Sequence, residues 1–157
     1  DRADELAELA KSIWTDHYTP IIGLAQVNYM LDKFQSAGRI LADIGENGYR
    51  YFIAYDGEKQ VGYCGIKPDY ESGGLLLSKL YVEKNSRGRG IARRMLEKAV
   101  AIARENRLGH IWLTVNKHNV NSIEIYKKLG FAIVEELVTD IGEGFVMDDY
   151  KMRMDIE

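Results

Sequence analysis

The sequence predicts a single domain over residues 1–157 with a mixed α/β (α+β) fold, in which helices flank a central, mostly antiparallel sheet. Three observations support this prediction. Helical spacing of apolar residues occupies the first part of the chain, up to residue 44. Strand patterns separated by turn signals occupy residues 49–82. The rest of the chain alternates a helix, a strand, a second helix and two closing strands.

The N-terminal part should form helices. Apolar residues spaced three and four apart predict the first helix, with Asp4 as its cap and Thr19-Pro20 as its end. Its apolar face comprises Leu6, Leu9, Ala10, Ile13 and Trp14. A second helix is expected around residues 27–34 and a short third one over residues 36–44.

The middle of the chain should form three strands. Residues 49–55 and 60–67 are joined by Asp56-Gly57, which is a strong hairpin signal. A loop is expected over residues 68–73. The third strand, Gly74–Val82, should bury its run of leucines, Leu75-Leu76-Leu77.

The C-terminal part begins with the clearest helix of the chain, which starts at Ile91 and is stopped by Gly109. A strand follows over residues 110–116. Residues 121–129 should form a short helix, capped by Asn121 with Glu124 and stopped by Gly130. Two strands, 132–139 and 145–156, then close the fold around a turn at 140–144.

Composition excludes several classes of protein. The net charge is −3, so a broad nucleic-acid-binding surface is not expected. No apolar run approaches the length needed to cross a membrane. Cys64 is the only cysteine, so there is no intrachain disulfide, and we expect a buried thiol in a cytoplasmic protein. No spacing of metal ligands is present, and His17 and His118 are interpreted as surface or hydrogen-bonded residues.

The junction between the third strand and the following helix carries the strongest functional signal. It reads Arg87-Gly88-Arg89-Gly90-Ile91-Ala92. Such a turn presents backbone N–H groups and a positive helix terminus to an anion, so a phosphate-bearing ligand is expected. A dinucleotide fingerprint needs a small residue where Arg93 stands, and a P-loop is absent. An ordinary glycine-rich turn is the alternative interpretation.

A second motif separates the remaining possibilities. It runs from Asn119 to Phe131 and reads Asn-Val-Asn-Ser-Ile-Glu-Ile-Tyr-Lys-Lys-Leu-Gly-Phe. This segment is similar to the second signature of the GNAT superfamily of N-acetyltransferases, N-x-x-A-x-x-x-Y-x-x-x-G-F, with Ser122 in place of alanine. The glycine turn resembles that family's R-x-x-G-x-A loop, which binds the pyrophosphate of acetyl-CoA. The resemblance covers roughly residues 49–155.

The resemblance implies acetyl-CoA as co-substrate and gives individual residues their roles. Backbone groups of the Leu80-Tyr81-Val82 segment would pair with the pantetheine amides, mainly through Leu80 and Val82. The N–H groups of the turn would hold the pyrophosphate; they belong to Gly88, Arg89, Gly90, Ile91, Ala92 and Arg93, with Arg87 opening the motif. Asn119 would bind the cofactor from the opposite side. Tyr126 would face the thioester sulfur as general acid, the alternative being a core tyrosine. The family also has a strand before its first helix, so we expect the natural chain to begin upstream of Asp1.

The group that deprotonates the amine is left open by the sequence. An alkyl amine is protonated at neutral pH and must lose a proton before it attacks. Where many relatives place a carboxylate, this chain has Ser78, between Leu76 and Leu80. A water relay through Ser78 is one route, and a carboxylate such as Asp16 or Glu46 is another. Glu83 is interpreted as solvated. A backbone N–H near Val82 could stabilise the developing oxyanion.

The acceptor is predicted to be a small cationic amine. Residues 14–18, 139–144 and 147–152 resemble the PaiA-like branch, which is associated with polyamine acetylation. Acidic residues would attract a polycation; they are Asp16, Asp140, Glu143, Asp148 and Asp149. Peptide N-termini, lysine side chains and small antibiotics are the alternative acceptors. A CoA-binding sensor without catalysis and a nucleotide-binding regulator are the alternative classes, and a homodimer remains open.

Overall fold

A computed structural model describes residues 2–156, which form five α-helices, one short 3₁₀ turn and six strands. The helices are α1 (Arg2–Ile22), α2 (Leu24–Phe34), α3 (Ala37–Glu46), α4 (Ile91–Glu105) and α5 (Val120–Leu129). The strands are β1 (Arg50–Asp56), β2 (Lys59–Asp69), β3 (Gly74–Val82), β4 (His110–Asn116), β5 (Ala132–Gly142) and β6 (Phe145–Asp155). The 3₁₀ turn, Lys84–Ser86, is separated from β3 by Glu83 alone.

The six strands form one sheet in the order β1-β2-β3-β4-β6-β5. β3 and β4 run parallel, whereas the pairs β1–β2, β4–β6 and β5–β6 are antiparallel. The predicted mixed α/β class with a mostly antiparallel sheet is therefore confirmed. Two compact units can be distinguished. Each unit consists of two segments of the chain. The first comprises the residues up to Lys67 together with Lys79–Lys98, and the second comprises Pro68–Ser78 together with the chain from Ala99 onward.

Two predicted boundaries of α1 are wrong. The helix begins at Arg2, so Asp4 lies in its first turn instead of capping it. Its negative charge there still stabilises the helix by interacting with the positive end of the helix dipole. Thr19-Pro20 does not end the helix, because Pro20 lies in the last turn, where the disruption it causes is limited to the helix end. Gly23, with φ of 86°, ends α1 and donates its N–H to the carbonyl of Thr19.

Three further predicted boundaries shift. β2 continues through Pro68 to Asp69, which shortens the expected loop after it. The β5–β6 turn narrows to Glu143-Gly144, whose φ values of 55° and 79° suit a type I′ hairpin. Helix α5 begins at Val120 with Asn119 at its N-cap, so the predicted capping pair of Asn121 and Glu124 is wrong.

The core of the first unit forms between α1, α3 and β2. Tyr63 of β2 is fully buried and packs within an apolar cluster. The other fully or nearly fully buried members are Ala3, Leu6, Ala10, Ile13 and Ile40. Gly62, the preceding residue, faces Met95 of α4. Because consecutive strand residues point to opposite faces, α1 and α4 cover opposite faces of this part of the sheet.

The predicted burial of Cys64 is confirmed, since none of its surface is exposed. Burial raises the pKa of its thiol to about 12, so the side chain stays protonated and is a poor nucleophile at neutral pH.

The second unit buries Ile111, Leu113 and Val115 of β4 together with Met152 of β6. No helix within residues 2–156 has both the length and the apolar character needed to cross a bilayer. The same residues contain no cluster of His, Cys, Asp and Glu side chains arranged to hold a metal ion.

Candidate active site

The glycine turn has the geometry of an anion site. Gly88 and Gly90 have φ values of 82° and 77°, a backbone conformation that L side chains rarely adopt. A side chain built on either glycine would meet no atom within 4 Å, so the space beside the turn is open. Helix α4 begins at Ile91, and its first N–H groups have no partner within the helix. An open turn at a helix N-terminus is typical of sites that bind phosphate groups.

Arginines surround this turn at the surface. The Nε of Arg87 donates to the carbonyl of Val82 (3.1 Å), which ties the turn to the end of β3. Arg89 forms an exposed ion pair with Asp56 (2.9 Å). Arg93 lies exposed in the first turn of α4. The side chains of Arg87, Arg89 and Arg93 are all exposed.

The end of β3 lies against an aromatic cluster. The ring of Tyr81 contacts the rings of Trp14 (5.6 Å between centroids), Tyr18 (6.2 Å) and Tyr63 (5.3 Å). A Cβ atom on Gly62 would come within 2.7 Å of the carbonyl oxygen of Tyr81, so only glycine fits there. The ring of Tyr81 thus packs against the core of this unit, and Leu80, Tyr81 and Val82 are all half-buried.

Lys79 is the unexpected residue of this strand. Only 6% of its surface is exposed, and its Nζ donates to the carbonyl of Phe34 (2.9 Å) and to the hydroxyl of Tyr51 (2.5 Å). Burial lowers the pKa of Lys79 to about 8, although the nearby Asp43 opposes the shift. The sequence pattern was interpreted with Leu76, Ser78 and Leu80 facing inward. That interpretation is wrong, because Leu75, Leu77 and Lys79 are buried instead. The alternation of Leu75, Leu77 and Lys79 was the signal that could have revealed the buried lysine.

Glu83, at the start of the turn, is half-buried and engaged with its neighbours. Its carboxylate pairs with Lys59 (3.0 Å) and accepts a hydrogen bond from Ser86 (3.1 Å). The contact with Lys59 contributes most to lowering the pKa of Glu83. A carboxylate held in its charged form by a cation is a weak base, so Glu83 is poorly suited to deprotonating an amine.

In the second unit, Asn119 and Tyr126 lie at the two ends of one short helix. Asn119 is 1% exposed and occupies the N-cap of α5. The ring of Tyr126 packs edge-on against Phe131 (5.8 Å between centroids), and its carbonyl accepts the N–H of Phe131. Gly130 ends the helix in the left-handed conformation (φ 112°), as predicted. Tyr126 is half-buried.

Ser78, the last residue of its segment in the second unit, is half-buried. Its hydroxyl has no carboxylate partner among the hydrogen bonds found in residues 2–156. The proposed proton relay through Ser78 therefore stays a prediction.

The acidic residues predicted to attract the acceptor or to take its proton have different environments. Asp16 is exposed on α1, and so is Glu46 at the end of α3. Asp140 and Glu143 are exposed at the β5–β6 hairpin, where Asp140 accepts the N–H of Gly142 (2.8 Å). These four carboxylates face solvent.

Asp148 and Asp149 are adjacent in β6 but differ in burial and in ion pairing. Asp148 pairs with Lys117 (2.8 Å), which also pairs with Glu136 (3.2 Å). Asp149 is only 6% exposed, and burial, reinforced by the charge of Asp148, raises the pKa of its carboxyl to about 6. The sequence did not distinguish Asp149 from the other acids predicted to attract the acceptor, because its burial depends on strands far apart in the chain.

Comparisons with known proteins find similar sequences. The sequence model of the Acetyltransferase (GNAT) family matches residues 6–131. A streptothricin acetyltransferase from Streptomyces lavendulae is 31% identical over 84 residues, which span 53% of this chain and 44% of that protein. A probable spermine N(1)-acetyltransferase from Bacillus subtilis subsp. natto is 25% identical over 136 residues, covering 81% of this chain and 89% of that protein.

The fold also matches a solved structure. The PaiA N-acetyltransferase of Thermoplasma acidophilum, determined in complex with coenzyme A, superposes with a TM-score of 0.80. The superposition covers 98% of this chain and 92% of that one at 17% sequence identity, a level at which the likeness concerns the fold.

Proposed function

Because the chain belongs to the acetyltransferase (GNAT) family, with acetyl-CoA as its co-substrate, we propose that it acetylates a small polyamine at a primary amine. The observation that carries this proposal is the open glycine turn at the start of α4, with two glycines at positive φ. Bound acetyl-CoA would supply the acetyl group as a thioester. The protein must then hold the cofactor, orient the amine and move its protons.

The cofactor-holding residues are proposed as follows. Backbone groups of Leu80 and Val82 pair with the pantetheine amides, and the first N–H groups of α4 hold the diphosphate. The packing of the Tyr81 ring against Trp14 and Tyr63 keeps the end of β3 in place. Asn119 contributes a contact from the N-cap of α5.

Tyr126 is proposed as the general acid. Its hydroxyl would donate a proton to the sulfur of the leaving thiolate, a role that typically contributes 10²–10⁴-fold to the rate. Packing of its ring against Phe131 fixes the position of the side chain.

A polyamine is favoured as acceptor by two relatives. Besides the probable spermine acetyltransferase, a spermine/spermidine N(1)-acetyltransferase of Bacillus subtilis is 24% identical over 81% of this chain. Exposed carboxylates such as Asp140 and Glu143 would attract a polycation, whereas Asp148 is already paired with Lys117. Self-association and a cytoplasmic location stay predictions of the sequence.

The test is thiol release from acetyl-CoA with a panel of amines at low and moderate salt. The panel comprises spermidine, spermine, a lysine peptide, an N-terminal peptide and streptothricin. We expect spermidine or spermine to react fastest, with a KM that rises with salt because exposed charges are screened over about 10 Å at 0.1 M. Preference for a peptide or for streptothricin would refute the polyamine assignment. Binding of acetyl-CoA without turnover of any amine would indicate a CoA-binding sensor.

A further inference from the structure

We infer that Asp149 is the proton acceptor for the substrate amine, a role that rests on the proposed acetyl transfer. Asp149 lies in β6 directly opposite Asn116, the last residue of β4. Three residues after Asn116 the chain reaches Asn119, the N-cap of the helix that carries Tyr126. The carboxylate thus belongs to the same end of β4 as Asn119, which is assigned to the cofactor.

Backbone hydrogen bonds join the segment around Asp149 to the residues that follow β4. The N–H of Lys117 donates to the carbonyl of Asp148 (3.0 Å), and the N–H of Asn119 donates to the carbonyl of Asn116 (3.0 Å). On its other side β6 pairs with β5, where Leu137 lies opposite Asp149. Hydrogen bonds to both neighbouring strands therefore hold the backbone of this residue in a fixed position.

The carboxylate of Asp149 lacks a counter-ion. More than nine-tenths of the residue is buried, yet no hydrogen bond or ion pair to its side chain is found within residues 2–156. Lys117, whose positive charge acts on Asp149, is already engaged with Asp148 and Glu136. A buried charge without a partner is costly, and an alkyl ammonium ion would supply the missing positive charge.

The electrostatic surroundings suit a base. Burial and the negative charge of Asp148 raise the pKa of Asp149 to about 6, while Lys117 lowers it to a smaller extent. The group is therefore mainly ionised at neutral pH and more basic than an ordinary carboxylate, which is the compromise a general base needs. The other carboxylates considered are exposed, or, like Glu83, paired with a cation.

The proton balance is complete. The ammonium group transfers one proton to Asp149, and the nitrogen lone pair then forms the C–N bond to the acetyl carbon as the C–S bond breaks. Tyr126 gives its proton to the thiolate and is reprotonated by the second proton of the nitrogen. Asp149 releases its proton to water. The products are the acetylated amine, the CoA thiol and one free proton.

The first experiment compares Asp149→Asn with Asp155→Asn, a control at an exposed position of the same strand. Two acceptors are used: spermidine, which is protonated at neutral pH, and acetohydrazide, which is not. For Asp149→Asn we expect kcat with spermidine at pH 7 to fall by about 100-fold or more, and kcat with the hydrazide to change by only a few-fold. Raising the pH toward 10 should partly restore the rate with spermidine. The control should keep wild-type rates.

The second experiment does not depend on turnover. Carboxyl carbon NMR of the free wild-type protein should show Asp149 titrating near pH 6, and this signal should be absent from Asp149→Asn. Calorimetry should give the same acetyl-CoA affinity for both proteins, which also shows that the variant is folded. A titration near pH 4 would overturn the inference.

The outcomes separate the two proposals. A wild-type enzyme that acetylates no amine would overturn the proposed function, and the role of Asp149 with it. A wild-type enzyme that acetylates spermidine, together with an Asp149→Asn variant of equal rate and pH profile, would overturn the role of Asp149 alone. Equal loss with both acceptors would assign Asp149 to structure instead of proton transfer.

Discussion

Replacing Lys79 by methionine should change how the stability of the protein depends on pH. The pKa of Lys79 is lowered from 10.5 to about 8, chiefly by burial. Between these values the unfolded chain holds the proton and the folded protein does not. The unfolded state then binds more protons, so the free energy of unfolding contributed by this residue increases as the pH rises from 8 to 10.5.

The magnitude follows from the size of this shift. A difference of about 2.5 pKa units corresponds to about 3 kcal/mol, of which about 2 kcal/mol falls between pH 7.5 and pH 10. Cys64 acts in the opposite direction above pH 9, because its pKa is raised to about 12. The two effects are separated by the difference between wild type and Lys79→Met, since both proteins contain Cys64.

The assay is urea unfolding followed by tryptophan fluorescence at several pH values. The free energy of unfolding of wild type minus that of Lys79→Met should rise by about 2 kcal/mol between pH 7.5 and pH 10. Lys11→Met, which changes an exposed lysine of α1, serves as the control and should give a constant difference. A difference for Lys79→Met that is also independent of pH would show that Lys79 is hydrated and that the buried contacts do not hold in solution.

Three further substitutions test the site. Gly90→Val places a β-branched residue at φ of 77° and should weaken acetyl-CoA binding, measured by calorimetry, at least about 10-fold. The control Gly38→Ala, on α3, should keep the wild-type affinity, and an equal affinity for Gly90→Val would refute the pyrophosphate site. Tyr126→Phe should lower kcat by about 100-fold at unchanged acetyl-CoA affinity, and a wild-type kcat would return Tyr126 to packing. Gly62→Ala places its Cβ 2.7 Å from the carbonyl of Tyr81 and should cost about 1–3 kcal/mol in urea unfolding; no loss would contradict the close approach of β2 and β3.

The parts of the fold that could be predicted from sequence depend on local patterns. The apolar stripe of α4 and the stop at Gly130 were placed correctly. The predicted hairpin exists, but its turn is Gly57-Glu58, one residue later than expected. The glycine turn was also recognised, because its spacing and the start of a helix lie within a few residues of each other. Local signals failed for Pro20. Whether a proline ends a helix depends on its position, and the last turn of α1 tolerates it.

The burial of Lys79 and of Asp149 could not be predicted in this way. Lys79 is stabilised by Phe34 and Tyr51, which lie 45 and 28 residues away in the chain. Asp149 is placed by pairing with both β4 and β5. Burial of a charge depends on such distant partners, so no window of sequence around either residue contains the information.

The central claim is acetyl transfer from acetyl-CoA to a polyamine, and product analysis tests it most directly. The wild-type protein is incubated with deuterium-labelled acetyl-CoA and spermidine, and the amine is analysed by mass spectrometry. The account predicts spermidine carrying one labelled acetyl group, formed much faster than with the Tyr126→Phe variant. Unmodified spermidine after prolonged incubation, with acetyl-CoA bound to the folded protein, would contradict it.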